Sequence, residues 1–204
     1  MSQRVGLCGG SFDPIHHGHL VSARSIAERH RLDRLVLIPS ARPPHKQGIA
    51  LTDPLHRLAM ARLAVEGDGF FEVSDMEMRR AGPSYTFDTV TEFRKKLGPS
   101  DELFWIIGAD TLPELPTWYR IAELVSLVRI VTATRPGWQP PDTEVLSRAI
   151  GIDRAQELLA NCLPTPPIDV SATDIRARVK AGLSIEHLVP TAVASYIEAH
   201  ALYR

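Results

Sequence analysis

Gly9-Gly10-Ser11-Phe12-Asp13-Pro14-Ile15-His16-His17-Gly18-His19 follows directly on the short apolar run Val5 to Cys8 and precedes an amphipathic stretch from Leu20 to Arg29. The apolar run suits a buried strand and the amphipathic stretch a helix. The two glycines between them predict a tight turn that exposes backbone amides. A strand, a glycine turn and a helix N-terminus together make an anion site, because free amides and the helix dipole both favour phosphate. The backbone of Gly9, Gly10, Ser11 and Phe12 is the candidate cradle, and His16 and His19 add ring donors at the same end. The pattern predicts a polyphosphate ligand.

Three histidines within four positions also raise the question of a metal, since neutral imidazole is a common ligand. No cysteine or carboxylate cluster accompanies them, and Asp13 is the one acid nearby. We therefore assign no metal site. Burying imidazoles for structure alone is equally out of place in a turn that leads into a helix. His17 reads as non-catalytic, and His30, His56, His187 and His200 as surface or helix-face residues.

Outward from this stretch, strand and helix signals alternate. Leu35–Ile38, Phe70–Val73, Leu103–Ile107 and Val128–Ala133 read as further strands. Asp53-Pro54 supplies an N-cap and a proline at the first helical position of the next helix. Thr86–Leu97, stopped by Gly98-Pro99, and Ile121–Leu127 read as helices. This alternation predicts an α/β fold, a Rossmann-like doubly wound parallel sheet with helices on both faces. Ligands of such sheets bind beyond the strand C-termini at the switch point, where the segments after Cys8, Ile38 and Ile107 would converge. The proline-rich run Arg135–Thr143 reads as a mobile loop. Two amphipathic segments after Thr173 predict a small C-terminal helical part, so residues 1–170 form the core and 171–204 a helical segment packed on it.

The 204 residues suit one domain with a sizeable core. Lysine and arginine total 23 against 24 acids, which leaves no electrostatic footprint for nucleic acid. Cys8 and Cys162 are far apart and read as reduced thiols of a cytoplasmic protein. No secretory signal and no apolar run of membrane-spanning length is present, so no membrane partner is expected. Oligomeric state is open, a homo-oligomer included.

Several further positions carry chemistry. Two prolines stiffen Pro43-Pro44-His45-Lys46, and Lys46 presents a point charge for phosphate. Gly108 allows close approach of a ligand to the backbone, and Asp110 can accept from ribose hydroxyls or cap a helix starting near Thr111. The amide of Thr86 lies free at a helix start. Trp118 offers a flat surface for stacking, with a core role as the alternative. Ser171 and Thr173 place hydroxyls at a helix N-terminus, and Arg176 can bridge two phosphates.

These segments occur in one order: GGSFDPIHHGH at 9–19, PPHK at 43–46, PSYTFDT at 83–89, Gly108-Ala109-Asp110 followed by Trp118, Arg135-Pro136-Gly137, and VSATDIR at 170–176. The set resembles the bacterial nicotinate-nucleotide adenylyltransferases of the HxGH nucleotidylyltransferase superfamily. The resemblance spans almost the whole chain and implies transfer of AMP from ATP to nicotinate mononucleotide, giving deamido-NAD and pyrophosphate, with Mg2+ carried by ATP. It implies catalytic roles for His16, His19, Lys46 and Arg176. ATP would be held by Gly9, Gly10, Ser11, Phe12, His16, His19, Gly108, Asp110, Ser171, Thr173 and Arg176. The mononucleotide would be held by His45, Lys46, Tyr85, Thr86, Trp118, Tyr119 and Arg135. Val170 and Ala172 depart from the family's ISSTxIR motif, and Ala172 removes one hydroxyl. Pantetheine-phosphate adenylyltransferases and cytidylyltransferases share HxGH, but PSYTFDT and Trp118 argue against both. A nucleotide-binding regulator without turnover is the reading outside catalysis.

Overall fold

The computed structural model describes residues 2–204 apart from Gln47, Ile49 and Pro136. Its centre is a parallel sheet of six strands among the described residues: β1 (Arg4–Gly10), β2 (Arg34–Pro39), β3 (Phe71–Val73), β4 (Glu102–Gly108), β5 (Arg129–Thr134) and β6 (Cys162–Pro164). They lie in the order β3-β2-β1-β4-β5-β6. The order reverses between β1 and β4, which are hydrogen-bonded neighbours with Cys8 opposite Ile106. On the other side of β1, Gly10 is opposite Pro39. The ends of β1, β2 and β4 thus share one edge, with the switch point at its centre.

Alternation along each strand sends side chains to two cores. Val36, Ile38, Leu103, Trp105 and Ile107 face one cluster, with residues of α3 (Thr86–Arg94), α4 (Ile121–Leu127), α5 (Thr143–Ile150) and α6 (Ile152–Ala160). Leu35, Leu37, Phe104 and Ile106 face the other, with α1 (His17–Arg29), α2 (Pro54–Ala64), α7 (Ala172–Lys180) and α8 (Thr191–Ala199). Both faces are therefore covered, as near-continuous apolar strands require. Residues 171–204 share this second core: Ile175, Val189, Val193 and Ile197 are buried with Phe12, Ile15 and Ile26.

Local signals set several boundaries. Asp53 caps α2, its carboxylate accepting from the Leu55 amide at 2.7 Å, with Pro54 at the first position. Ser171 caps α7 by accepting from the Asp174 amide at 3.0 Å. Other expectations need correction. The helix after the histidine run begins at His17, with His16 as N-cap. α3 stops at Arg94, and β3 starts at Phe71. The segment after β4 is a 3-10 run, Ala109–Thr117, interrupted by Pro113 and Pro116. It begins before Asp110, which is exposed in its first turn and does not cap it. The loop from Arg135 holds Trp138 against the first core. Beyond it come α5, α6 and β6, with Gly151 at φ 85° separating the two helices.

The largest correction concerns the glycines. Gly9 and Gly10 are not a turn: both belong to β1, and the left-handed residue is Phe12, at φ 48°. Glycine is required at position 9 by packing, since a Cβ there would lie 2.6 Å from the Trp105 indole. Gly9→Ala should destabilise the protein by about 1–3 kcal/mol, the usual cost of overpacking. Urea unfolding of the variant, and of Gly9→Ala with Trp105→Leu, checks this: removing the indole should recover part of the loss.

Candidate active site

The residues between β1 and α1 form an irregular loop whose carbonyls are tied down from several directions. Ser40 donates its amide to the Gly10 carbonyl at 2.8 Å. Arg57, from α2, donates Nη1 to the Ser11 carbonyl at 2.6 Å and Nε to the Thr52 carbonyl at 2.8 Å. Arg176, from α7, donates Nη1 to the Asp13 carbonyl at 2.7 Å. In a trans peptide N–H and C=O point in opposite directions. Pinning the carbonyls of Gly10 and Ser11 therefore turns the amides of Ser11 and Phe12 the other way. The Ser40 amide and the Arg57 guanidinium thus sit on the far side of these two peptides, with no glycine turn.

His16 and His19 meet at the start of α1. Their rings stack with centroids 3.7 Å apart and planes at 24°. Gly18 leaves room for this, since a Cβ there would sit 3.0 Å from the His16 ring. The His16 amide donates to His19 Nδ1 at 3.3 Å. His19 Nδ1 is thus the acceptor, and the neutral ring carries its proton on Nε2, free to donate elsewhere. His16 is buried, and its Nδ1 has no partner among the described residues.

Both rings are neutral in the folded chain. Burial, then Arg135 and His17, pull the His16 pKa down from 6.5 to about 4. Burial, then His16, Lys46 and Arg135, hold His19 well below its usual value. The same influences show Arg135 and Lys46 close enough to act on the pair. Lys46 is exposed and donates Nζ to Ser11 Oγ at 2.8 Å. One end of the sheet therefore gathers two neutral imidazole donors, the Lys46 ammonium and the guanidinium groups of Arg135 and Arg176. That is a site for several negative charges.

The remaining sequence-predicted residues flank it. Thr86 is the first residue of α3, after Tyr85 as N-cap, so its amide is one of the unpaired donors of the first turn. The Tyr85 and Tyr119 rings stack at 4.5 Å. His45 and Trp118 face each other with ring centroids 6.2 Å apart and planes at 27°. Trp118 packs its partly buried indole on the edge of the first core, so the core alternative holds for part of the ring. Its Nε1 is buried without a partner among the described residues. Ser171 and Thr173 are exposed at the start of α7, and Thr173 Oγ1 lies 3.3 Å from Arg176 Nη2. Gly108 ends β4, and Pro136 lies outside the described residues.

Sequence reasoning missed three residues. Arg57 is 1% exposed although charged, and its one readable signal is its place on the buried face of α2 with Met60 and Ala61. Glu77 is buried and accepts from Thr89 Oγ1 at 2.6 Å, tying the segment before α3 to that helix. Burial raises its pKa. Tyr203 donates to Asp13 Oδ1 at 2.7 Å.

Comparison with known proteins shows the family of the chain. Residues 7–178 match the family described as Cytidylyltransferase-like. The chain is 44% identical over 202 residues to the "Probable nicotinate-nucleotide adenylyltransferase" of Opitutus terrae, covering 98% of each chain. It is 42% identical over 205 residues to the protein of the same name from Desulfitobacterium hafniense, covering 99% of this chain and 96% of that one. The chain belongs to the nicotinate-nucleotide adenylyltransferase family. As a member of it, the chain is a nucleotidyltransferase with a Rossmann-like fold. In fold it is similar to the Plasmodium falciparum nicotinic acid mononucleotide adenylyltransferase complexed with NaAD, with a TM-score of 0.73 at 17% identity over 98% of this chain and 97% of that one.

The histidines give a pH signature. In the unfolded chain histidine titrates near 6.5, whereas His16 in the folded chain titrates at about 4. Between these values the unfolded state binds more protons, so stability is full above pH 6.5 and falls as pH drops toward 4. His16→Gln should flatten this part of the curve by about 1–3 kcal/mol relative to the parent. Urea titrations of both proteins at pH 7 and pH 4.5 measure the difference.

Proposed function

We propose that the chain transfers the adenylyl group of ATP to nicotinate mononucleotide, giving deamido-NAD and pyrophosphate. A mononucleotide phosphate oxygen attacks the α-phosphorus in line. The bond from that phosphorus to the α–β bridging oxygen breaks, and pyrophosphate leaves. The substrate brings its own nucleophile, so the protein's task is to position two anions and offset their charge. The observation that carries the reading is the convergence of His19, Lys46, Arg135 and Arg176 on one loop, in a chain above 40% identical to the relatives that carry this name.

In this reading the amides of Ser11 and Phe12 and the start of α1 hold the triphosphate, and His19 Nε2–H donates to an oxygen near the breaking bond. His16 supports that ring by stacking. Lys46 and Arg176 offset the charge on the phosphates, with Gly9, Gly10, Gly108, Asp110, Ser171 and Thr173 completing the ATP side. His45, Tyr85, Thr86, Trp118, Tyr119 and Arg135 hold the mononucleotide, whose ring has the Trp118 indole as a stacking surface and whose carboxylate has the Thr86 amide as a donor.

Mg2+ belongs to this account as part of the substrate Mg·ATP. Among the described residues no group of three or more His, Cys, Asp or Glu side chains could hold a metal ion, and the site's own charges are cationic. Magnesium carried mainly by phosphate oxygens and water suits such a site. Among the described residues no helix is long and apolar enough to cross a membrane. The cytoplasm, where both substrates occur, is the proposed place of action.

Pyrophosphate release with ATP and each mononucleotide tests the reaction. Magnesium-dependent turnover with nicotinate mononucleotide is expected, and the nicotinamide form should have the lower kcat/KM. Equal or better turnover of the nicotinamide form would overturn the acceptor while sparing the reaction, and release at background rates with both would favour a regulator. His19→Ala should lower kcat by about 10²–10³, the loss seen when one preorganised donor is removed, whereas His17→Ala should change it little. Steady-state kinetics of the two variants decides whether the roles within His16–His19 are assigned correctly.

A further inference from the structure

Asp13 sits at the centre of the phosphate-binding loop proposed above, yet the residue is 4% exposed and its carboxylate is bonded within the protein. It accepts from the Thr52 amide at 3.2 Å and from the Tyr203 hydroxyl at 2.7 Å. The second contact spans 190 residues. Arg176 adds a third tie at the same residue, through the backbone carbonyl. The next turn of chain is held from the same quarter: the His17 amide, at the start of α1, donates to the Leu188 carbonyl at 3.1 Å.

The tail after α8 is bent to make the tyrosine contact. Ala201 and Tyr203 both lie in the left-handed region, at φ 48° and 66°, and neither is glycine. Such residues are uncommon and persist where the surroundings over-determine them. Here the Leu202 amide donates to the Ile197 carbonyl, and the Leu202 and Tyr203 side chains pack on the second core. Burial and the adjacent Asp13 carboxylate both raise the Tyr203 pKa, so the hydroxyl keeps its proton and acts as the donor. The bond is charge-assisted and largely shielded from water, which places it among the stronger single hydrogen bonds.

We infer that Tyr203 is a positioning residue for adenylyl transfer, its hydroxyl fixing the Asp13 carboxylate so that the loop holds its amides and His16 in the phosphate-binding arrangement. The inference rests on the proposed function for its effect on rate, and on geometry alone for its effect on the loop. It makes the tail a working part of the site. Nothing in Tyr203 touches substrate. Its influence passes through Asp13 to the peptides on either side of it.

Tyr203→Phe removes the hydroxyl and keeps the ring, so it separates positioning from packing. The variant should melt within a few degrees of the parent. Its kcat should fall about ten-fold or more, the value of one hydrogen bond to a charged group expressed as a rate, with the KM for mononucleotide changed less. Amide hydrogen exchange of residues 11–19 should speed up while that of β4 stays at the parent rate. Asp13→Asn combined with Tyr203→Phe should cost little more than the larger single change, because both remove one interaction. Parent-like kcat together with parent-like exchange of residues 11–19 would overturn the inference, leaving the tyrosine as packing. So would strictly additive losses in the double variant, or a uniform rise of exchange across the chain. If the parent protein itself shows no turnover, the functional reading fails instead. Loop exchange and calorimetric binding of a non-hydrolysable ATP analogue to the parent and to Tyr203→Phe then decide the clamp.

Discussion

Two guanidinium groups bound to the carbonyls of one loop are the constraint on which the site depends. Arg57 and Arg176 come from different helices and meet the same short stretch, at Ser11 and Asp13. A guanidinium offers several donors in a fixed plane and stays charged in all but extreme surroundings, so it can hold a carbonyl without competing protonation. With the Ser11 carbonyl taken by Arg57 and the Gly10 carbonyl by the Ser40 amide, the Phe12 and Ser11 amides face the other way, while Arg176 fixes the next bend through the Asp13 carbonyl. The loop then needs no glycine at its bend, and Phe12 carries the left-handed conformation. The same arrangement starts α1 at His17, whose amide donates to the Leu188 carbonyl, and puts His16 and His19 in stacking contact there.

Burying Arg57 has a cost that explains its surroundings. A charge this deep needs full hydrogen bonding, and the Ser11 and Thr52 carbonyls supply it, with Asp13 and Glu77 as compensating charges nearby. Removing the arginine would therefore free carbonyls that water cannot easily reach. The chain ties the front of α2, the loop after β2 and the loop after β1 into one polar unit beside the site. A buried cluster tied by several hydrogen bonds is rigid, and rigidity is what a reaction driven by positioning requires.

Much of this was legible from the sequence. The strand and helix alternation was clear because the central strands are short runs of aliphatic and aromatic residues that end at Pro or Gly, as at Leu35–Pro39 and Leu103–Gly108. The caps at Asp53 and Ser171 follow from local chemistry and were readable for that reason. What escaped depends on distance or brevity. α5 and α6 have only 8 and 9 residues, too few turns for a clear period beside a proline-rich run. Gly9 looks like a turn residue in isolation, and only the indole across the β1–β4 pair shows that it is a packing residue. The partners of Asp13 and Ser11 lie 190 and 46 residues away, beyond any local pattern.

The central claim is that the β1–α1 loop, shaped by its arginines, is where the triphosphate binds. A crystal structure with a non-hydrolysable ATP analogue and nicotinate mononucleotide tests it most directly. The account predicts phosphate oxygens within hydrogen-bond distance of the Ser11 and Phe12 amides and of His19 Nε2, with Arg57 still bound to the Ser11 carbonyl. A triphosphate seated in the cavity of about 460 Å3 between Arg42, Lys46, Leu51 and Pro83, making no contact with the Ser11 and Phe12 amides or with His19, would contradict it.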